Sequence, residues 1–331
     1  MYDYDIQIVG HVCVDLTPQL AGEANTTPGV LTEVGPMQIT IGGAVGNSAR
    51  AVKALGRRAA VAAAVGADEL GRLLQAALEV DMPGSVFLKQ TSAATSYSVV
   101  LAPPGGDRSF WHHTGANDEF DGSCPLLPSP IVHFGYPTLC PGMTAEAGRP
   151  TTELFRRAHA QGSATSLDLA YCANNSPLRG YDWDGFFRNV LPHTDVFCPS
   201  WDDVTSARSL PAAFEASAVS SAAEEFLRMG AGVVLITLGE KGSYLATGEG
   251  GALRRVVDAL GVSPDSWSGV REWIPAAPVE RFVSSNGAGD TFKAAFLLAA
   301  QGAATPVAAA RQAAFVVSRK IGALPLLEAG S

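Results

Sequence analysis

The chain has 331 residues, 47% hydrophobic and 17% charged, which fits a compact globular protein with a sizeable core and excludes a disordered, coiled-coil or collagen-like chain. A net charge of -9 and a pI near 5.1 supply no basic patch, so neither nucleic acid nor an anionic membrane surface is expected as a partner. Five cysteines (Cys13, Cys124, Cys140, Cys172, Cys198), odd in number and never in a C-x-x-C pair, suggest reduced buried thiols rather than a disulfide framework or a zinc site.

The opening MYDYDIQIVGHVCVDLTP has acidic residues where a secretory signal needs a basic region, and the alanine-rich run from Ala59 is too short to span a membrane. A cytoplasmic protein is expected. DIQIVGHVCVDL is rich in Val and Ile and breaks at Gly10, as a buried first strand would. The Pro-, Gly- and Thr-dense stretch that follows reads as exposed strands and turns, MQITI among them. In GGAVGNSARAVKALG, Ala49, Val52 and Leu55 recur at helical spacing and Gly56 supplies a stop. AAVAAAVG then suits a buried strand, and ADELGRLLQAALEV an amphipathic helix with acidic residues at its start.

TSYSVVLAPPGGDRSFWHHTGAND reads as a hairpin turning at Pro-Pro-Gly-Gly, with Phe110, Trp111, His112 and His113 on its return arm. Those side chains suit stacking on, or hydrogen bonding to, a ligand ring. Adjacent strand residues point to opposite faces, so the two histidines are not expected to share a metal. From PIVHFGYP to GVVLITLG, strand-like and helix-like runs alternate, the signature of βαβ units and a mostly parallel sheet. Arg255 to Ile274 interrupts that rhythm and reads as a surface excursion. The expected architecture is one α/β domain over residues 1–331, with two β-rich insertions at about 14–40 and 92–117.

SSNGAGDTFKAAFLLAA, from Ser284, sets two glycines and an aspartate against a helix start. Bare amides at Gly287, Ala288 and Gly289, at the positive end of a helix, form an anion site suited to phosphate or to developing charge. Asp290 would repel a resting phosphate, but it suits the proton of a hydroxyl attacking one. The alternative is that Asp290 simply caps the helix. Lys293, in the first turn of the helix, reads as a solvated lysine, with contact to phosphate as the alternative.

NGAGDTF resembles the C-terminal signature of the ribokinase-like (PfkB) carbohydrate kinases, and IGGAVGNSARAVKALG their N-terminal one. VGHVCVD, VGADELG, TGAND, VVLITLGEKGSYL and VSRKIGA also fall where that family has counterparts, so the resemblance spans nearly the whole chain. It implies a three-layer α/β/α sandwich with a mostly parallel central sheet and a small β-sheet lid made by the two insertions. Such lids close over the sugar, and in several members pair to form a homodimer. The resemblance also implies an ATP- and Mg2+-dependent carbohydrate kinase that phosphorylates a hydroxyl of a small sugar or polyol. Asp290 would then be the general base and Gly287, Ala288 and Gly289 the anion hole. Asp15, Gly43 and Asn47 would bind the sugar, and Thr237, Gly239 and Gly242 would line the nucleotide site. Without the family pattern, Asp15 reads as a turn cap, Asn47 as a helix cap and TLGEKGS as a plain turn.

The chain also departs from the family pattern. Ser284 stands where an aspartate linked to a monovalent cation is common, which puts activation by potassium in doubt. SWDD replaces N-x-x-E, leaving Asp203 to hold magnesium through water. Gly135 replaces a frequent sugar-binding glutamate, which suggests a different substrate outline. Ala44 and Val45 favour a neutral sugar, while Arg108 keeps a sugar phosphate open. A nucleoside kinase of the same family and a catalytically silent sugar- or nucleotide-binding module are the alternatives. No G-x-G-x-x-G follows the first strand and no P-loop is present, so neither a dinucleotide enzyme nor a P-loop kinase is expected.

Overall fold

The computed structural model describes residues 2–104 and 108–327, so Gly105 and Gly106 of the hairpin turn lie outside the described residues. β1 (Ile6–Gly10) is buried throughout, and β2 (Cys13–Pro18) leaves it after a two-residue link. β3 (Met37–Gly42) leads directly into α1 (Gly43–Ala54), followed by β4 (Ala59–Gly66), α2 (Glu69–Asp81) and β5 (Val86–Thr91). The hairpin is β6 (Tyr97–Leu101) and β7 (Ser109–His113), paired antiparallel. β8 (Ile131–Gly135), α3 (Pro141–Ala160), β9 (Ala164–Leu167), α4 (Trp183–Val190) and β10 (Val196–Phe197) continue the alternation. α5 (Trp201–Ala207), α6 (Ala216–Arg228), β11 (Val233–Thr237) and β12 (Ser243–Thr247) follow. α7 (Gly251–Leu260), α8 (Pro264–Trp267), β13 (Arg271–Ile274), α9 (Ala288–Ala300) and α10 (Pro306–Ile321) complete the chain.

Nine strands form one sheet in the order β13-β12-β11-β10-β9-β8-β1-β4-β5, parallel from β5 to β11 and antiparallel at β12 and β13. Two-residue periodicity sends alternate side chains to opposite faces. Ile6, Ile8, Val61, Ala63, Val233 and Leu235 join the core under α1, α2, α7, α9 and α10, whereas Val9, Ala62, Val234 and Ile236 join that under α3, α4, α5 and α6. The result is the expected three-layer α/β/α arrangement. β3-β2-β6-β7 form a separate four-stranded sheet. The two sheets join at Val12, whose amide and carbonyl both bond the buried side chain of Asn117, from TGAND.

Two readings need correction. Residues 255–274 are not a surface excursion: Val256, Val257, Leu260 and Trp267 are buried in the core, and β13 extends the main sheet by pairing with β12. The run TTELFRRAHAQG reads in sequence as a helix from Thr151, but the helix starts earlier, because Pro150 suits its first turn. The backbone before it is interrupted at Ala145–Gly148, where Glu146, Ala147 and Gly148 are left-handed. The half-buried edge strand β5 was not anticipated at all. Trp267→Ala should cost about 3–5 kcal/mol, as emptying a large buried site does. Chemical denaturation measures it, and a loss below about 1 kcal/mol would be that of a surface residue.

Candidate active site

The parallel strands end along one side of the sheet, and polar side chains follow them: His11 after β1, Tyr136 after β8, Asp168 after β9 and Ser200 beyond β10, with Thr237 closing β11. In open α/β sheets that edge is where ligands bind. The start of α9 arrives at the same edge, carrying Asp290.

Asp290 does not cap its helix. Its Oδ1 accepts the Tyr136 hydroxyl at 2.6 Å and its Oδ2 accepts Asn47 Nδ2 at 2.9 Å, and no side chain caps α9. Asn47 is not a cap either, since it lies inside α1, where Arg50 donates to its Oδ1 at 2.9 Å and turns its NH2 toward Asp290. Gly287 is left-handed (φ 67°), and a Cβ there would come within 3.2 Å of Asn47 Cγ, so glycine permits both the turn and the approach of α9 to α1. The amides of Gly287 and Gly289 meet no backbone or side-chain acceptor among the described residues, and the loop from Ser284 to Gly289 is at least partly exposed. Ala288 departs from the expected three-amide array, because its N–H donates to the Ser285 carbonyl at 3.0 Å.

Lys293 is not solvated. Three residues after Asp290 it shares that face of the helix, is 4% exposed, and pairs directly with the Asp168 carboxylate. Its ammonium lies 3.8 Å from Asp290 Oδ1 and 5.3 Å from the centre of the Tyr136 ring. Burial works against this cation, but Asp168, Asp290 and Asp203 outweigh it and hold its pKa above the ordinary lysine value. Burial raises Asp290 above the usual carboxylate range; Lys293 and the Tyr136 and Asn47 hydrogen bonds pull it down, without cancelling the rise. The carboxyl itself is covered, at 3% exposure.

Asp15 is a mid-strand residue of β2, paired across to Thr40 and Ser98, and so not a turn cap. It accepts the Cys13 thiol at 3.3 Å, and a side chain at Gly42 would collide with its carboxylate. Gly43 is left-handed (φ 76°), and a Cβ there would meet His11. Thr237 bridges to Ser200, and its amide bonds the Pro199 carbonyl at 3.0 Å. Gly239 faces open space, while a Cβ at Gly242 would strike the Ile274 carbonyl, so packing alone explains that glycine. Ser200 and Asp203 form a capping box at the start of α5, in which Asp203 Oδ2 accepts the Ser200 amide at 3.0 Å. Burial pushes Asp203 up to about 6. Its Oδ1 has no partner in the box, a donor set that fits a magnesium ion keeping most of its waters. The Ser284 hydroxyl accepts the Asn286 amide at 3.1 Å.

From the small sheet, Arg108 donates to Ser285 Oγ at 2.8 Å, next to the glycine loop. His112 reaches back to His11, whereas His113 packs on Tyr97 with ring centres 5.5 Å apart, so the pair does face opposite ways. Phe110 and Trp111 are 50% and 56% exposed. A hollow of about 490 Å3 elsewhere on the surface is lined by Arg228, Arg255 and Arg271 among others and contains none of these groups.

A family model described as pfkB family carbohydrate kinase matches residues 4–326. The chain belongs to the pfkB family. Among curated relatives, an ATP-dependent 6-phosphofructokinase of Thermoanaerobacterium thermosaccharolyticum is 24% identical over 280 residues, 80% of each chain. The ribokinase of Arabidopsis thaliana complexed with ribose and ATP shares the fold with a TM-score of 0.68 and 20% identity, over 96% of this chain and 92% of that one. A Burkholderia thailandensis nucleoside kinase in complex with inosine does so with a TM-score of 0.64 and 17% identity, over 96% and 89%. Both likenesses speak to the fold of this pfkB chain, not to its substrate.

Sequence reasoning missed Tyr136, Asp168 and His11. The signal for Asp168 was present, an acid directly after the strand-like run ATSL, at the carboxyl end of a buried parallel strand. Lys293→Met should leave Asp168 buried without its partner and cost about 3–5 kcal/mol in unfolding free energy, and adding Asp168→Asn should recover most of that loss. Independent, additive losses in the two variants would remove the pair from the structure's support.

Proposed function

We propose that this chain transfers the terminal phosphoryl group of ATP to a hydroxyl of a small sugar or polyol. One observation carries the reading: Asp290 turns its carboxyl away from its own helix toward Asn47 and Tyr136, beside the amides of Gly287 and Gly289, which meet no acceptor among the described residues. The acceptor hydroxyl gives its proton to Asp290 as its oxygen bonds to the γ-phosphorus, and the bond to the ADP oxygen breaks. The Gly287 and Gly289 amides, at the positive end of α9, receive the charge on the transferring group. Tyr136 holds the place on Oδ1 that a substrate hydroxyl would take, so binding exchanges one hydroxyl for the other.

Asp15 and the backbone at Gly43 hold further substrate hydroxyls. Thr237 and Gly239 border the nucleotide, with Gly242 shaping their loop. Asp203 would hold magnesium through water, and that ion supplies charge neutralisation for the triphosphate. The small sheet serves as a lid over the acceptor, excluding water. It carries a row Ile39, Leu16, Val99, Trp111 across its four strands, with Ile39 49% and Trp111 56% exposed, which supports pairing with a second lid in a homodimer. No helix among the described residues is long and apolar enough to cross a membrane, and all five cysteines are free, in keeping with a cytoplasmic enzyme. A nucleoside acceptor is the second reading, supported by the ring contacts of His11 with His112 and Tyr136, at 5.0 and 5.7 Å.

Asp290→Asn should lower kcat about 100-fold or more while ATP affinity stays unchanged. Near-parent turnover in that variant would remove Asp290 from the mechanism. Because burial raises its pKa, Asp290 is protonated, and useless as a base, at pH values where a free aspartate is ionised. The acidic limb of kcat/KM should therefore fall as pH drops through a value above the free aspartate pKa of about 3.9. Turnover measured across sugars, polyols, sugar phosphates and nucleosides decides the acceptor; acceptors that raise Tm without being consumed would mark a silent binding module instead.

A further inference from the structure

His11, Cys13 and His112 offer ligand atoms that all lie within 4.8 Å of one another. Sequence spacing hides the group, because His11 follows the last residue of β1, Cys13 opens β2 and His112 returns from β7, 101 residues from His11. His11 Nε2 and His112 Nε2 stand 3.2 Å apart. Two nitrogens bound to one tetrahedral zinc ion at about 2.0–2.1 Å would stand about 3.3 Å apart, so the imidazoles are already spaced for a shared ion and the sulfur has about an ångström to close. Ser98 Oγ lies 3.0 Å from the far nitrogen of His112, Nδ1. A hydroxyl accepting the Nδ1 proton leaves the Nε2 lone pair facing His11, which is how an outer partner orients a histidine ligand. His11 is 1% exposed, and the partner its Nε2 has among the described residues is His112 Nε2, so a cation between the two nitrogens would replace that one hydrogen bond.

We propose that His11, Cys13 and His112 bind one thiophilic divalent cation of the zinc class, tying the small sheet to the end of β1. The Cys13 thiol loses its proton to solvent as the sulfur becomes a thiolate ligand, and three protein ligands leave a fourth position for water or another donor. Cys13 adjoins Asp15, so the ion sits at the edge of the proposed acceptor site. The assignment does not depend on the kinase reading.

The test uses the full-length protein, stripped with a chelator and titrated with cobalt(II) as a spectroscopic probe. One equivalent should give tetrahedral visible bands and a thiolate-to-cobalt charge-transfer band, both displaced by zinc. Cys13→Ser should abolish the charge-transfer band. Ser98→Ala should weaken binding about 10- to 100-fold, as the loss of an outer-shell partner does. His112→Ala alters an exposed lid residue rather than the core and should weaken binding further still. The proposal is overturned by an octahedral spectrum in the parent protein, by a charge-transfer band that survives Cys13→Ser, or by parent-like affinity in His112→Ala.

Discussion

The edge of the main sheet is organised around one buried ammonium. Lys293 faces Asp168, Asp290 and Asp203, three carboxylates that could not be buried so close together without a cation between them. Asp168 comes from the end of β9, Asp203 from the first turn of α5 and Asp290 from the first turn of α9. The pairing therefore fixes where α9 docks, and with it the direction of the Gly287 and Gly289 amides. A positive charge held inside also keeps Asp290 from rising as far as its burial alone would drive it.

Close approach of backbone completes what the charge begins. The Gly42–Gly43 corner lets Asp15 and His11 pack against bare backbone, and Gly287 lets α9 reach Asn47. Every one of these contacts joins segments distant in sequence, and each relies on the absence of a β-carbon. The small sheet is tied to the same edge through Arg108 and Ser285, and through His112 and His11, so its position and that of the glycine loop are coupled.

Much of this was legible in the sequence. The alternation of apolar runs announces the parallel sheet, the two glycine signatures point to Asp290 and Asn47, and VGHVCVD points to Asp15. Lys293 was misread because a lysine in the first turn after a glycine loop is normally solvent-facing, and its burial depends on Asp168, 125 residues away. Tyr136 was passed over because its role follows from a left-handed backbone (φ 69°) that a non-glycine residue does not advertise. Residues 255–274 look irregular in sequence because a short helix and a four-residue edge strand carry too little periodicity to stand out, although Trp267 is buried in the core and β13 pairs with β12. The amide of Ala288 shows a finer limit: a glycine-rich stretch tells which nitrogens are unshielded, not which of them a neighbouring carbonyl has already taken.

Asp290 and Asn47 are 243 residues apart, and all nine strands of the main sheet are complete by Ile274. Every strand of both sheets thus precedes, in chain order, the helix bearing the carboxylate. The last two helices also supply much of one apolar face, leaving that side of the nascent sheet wet until they dock. Burial of that face therefore waits on two helices that follow every strand in chain order, and a fragment ending at Ile274 would leave it exposed and prone to aggregate.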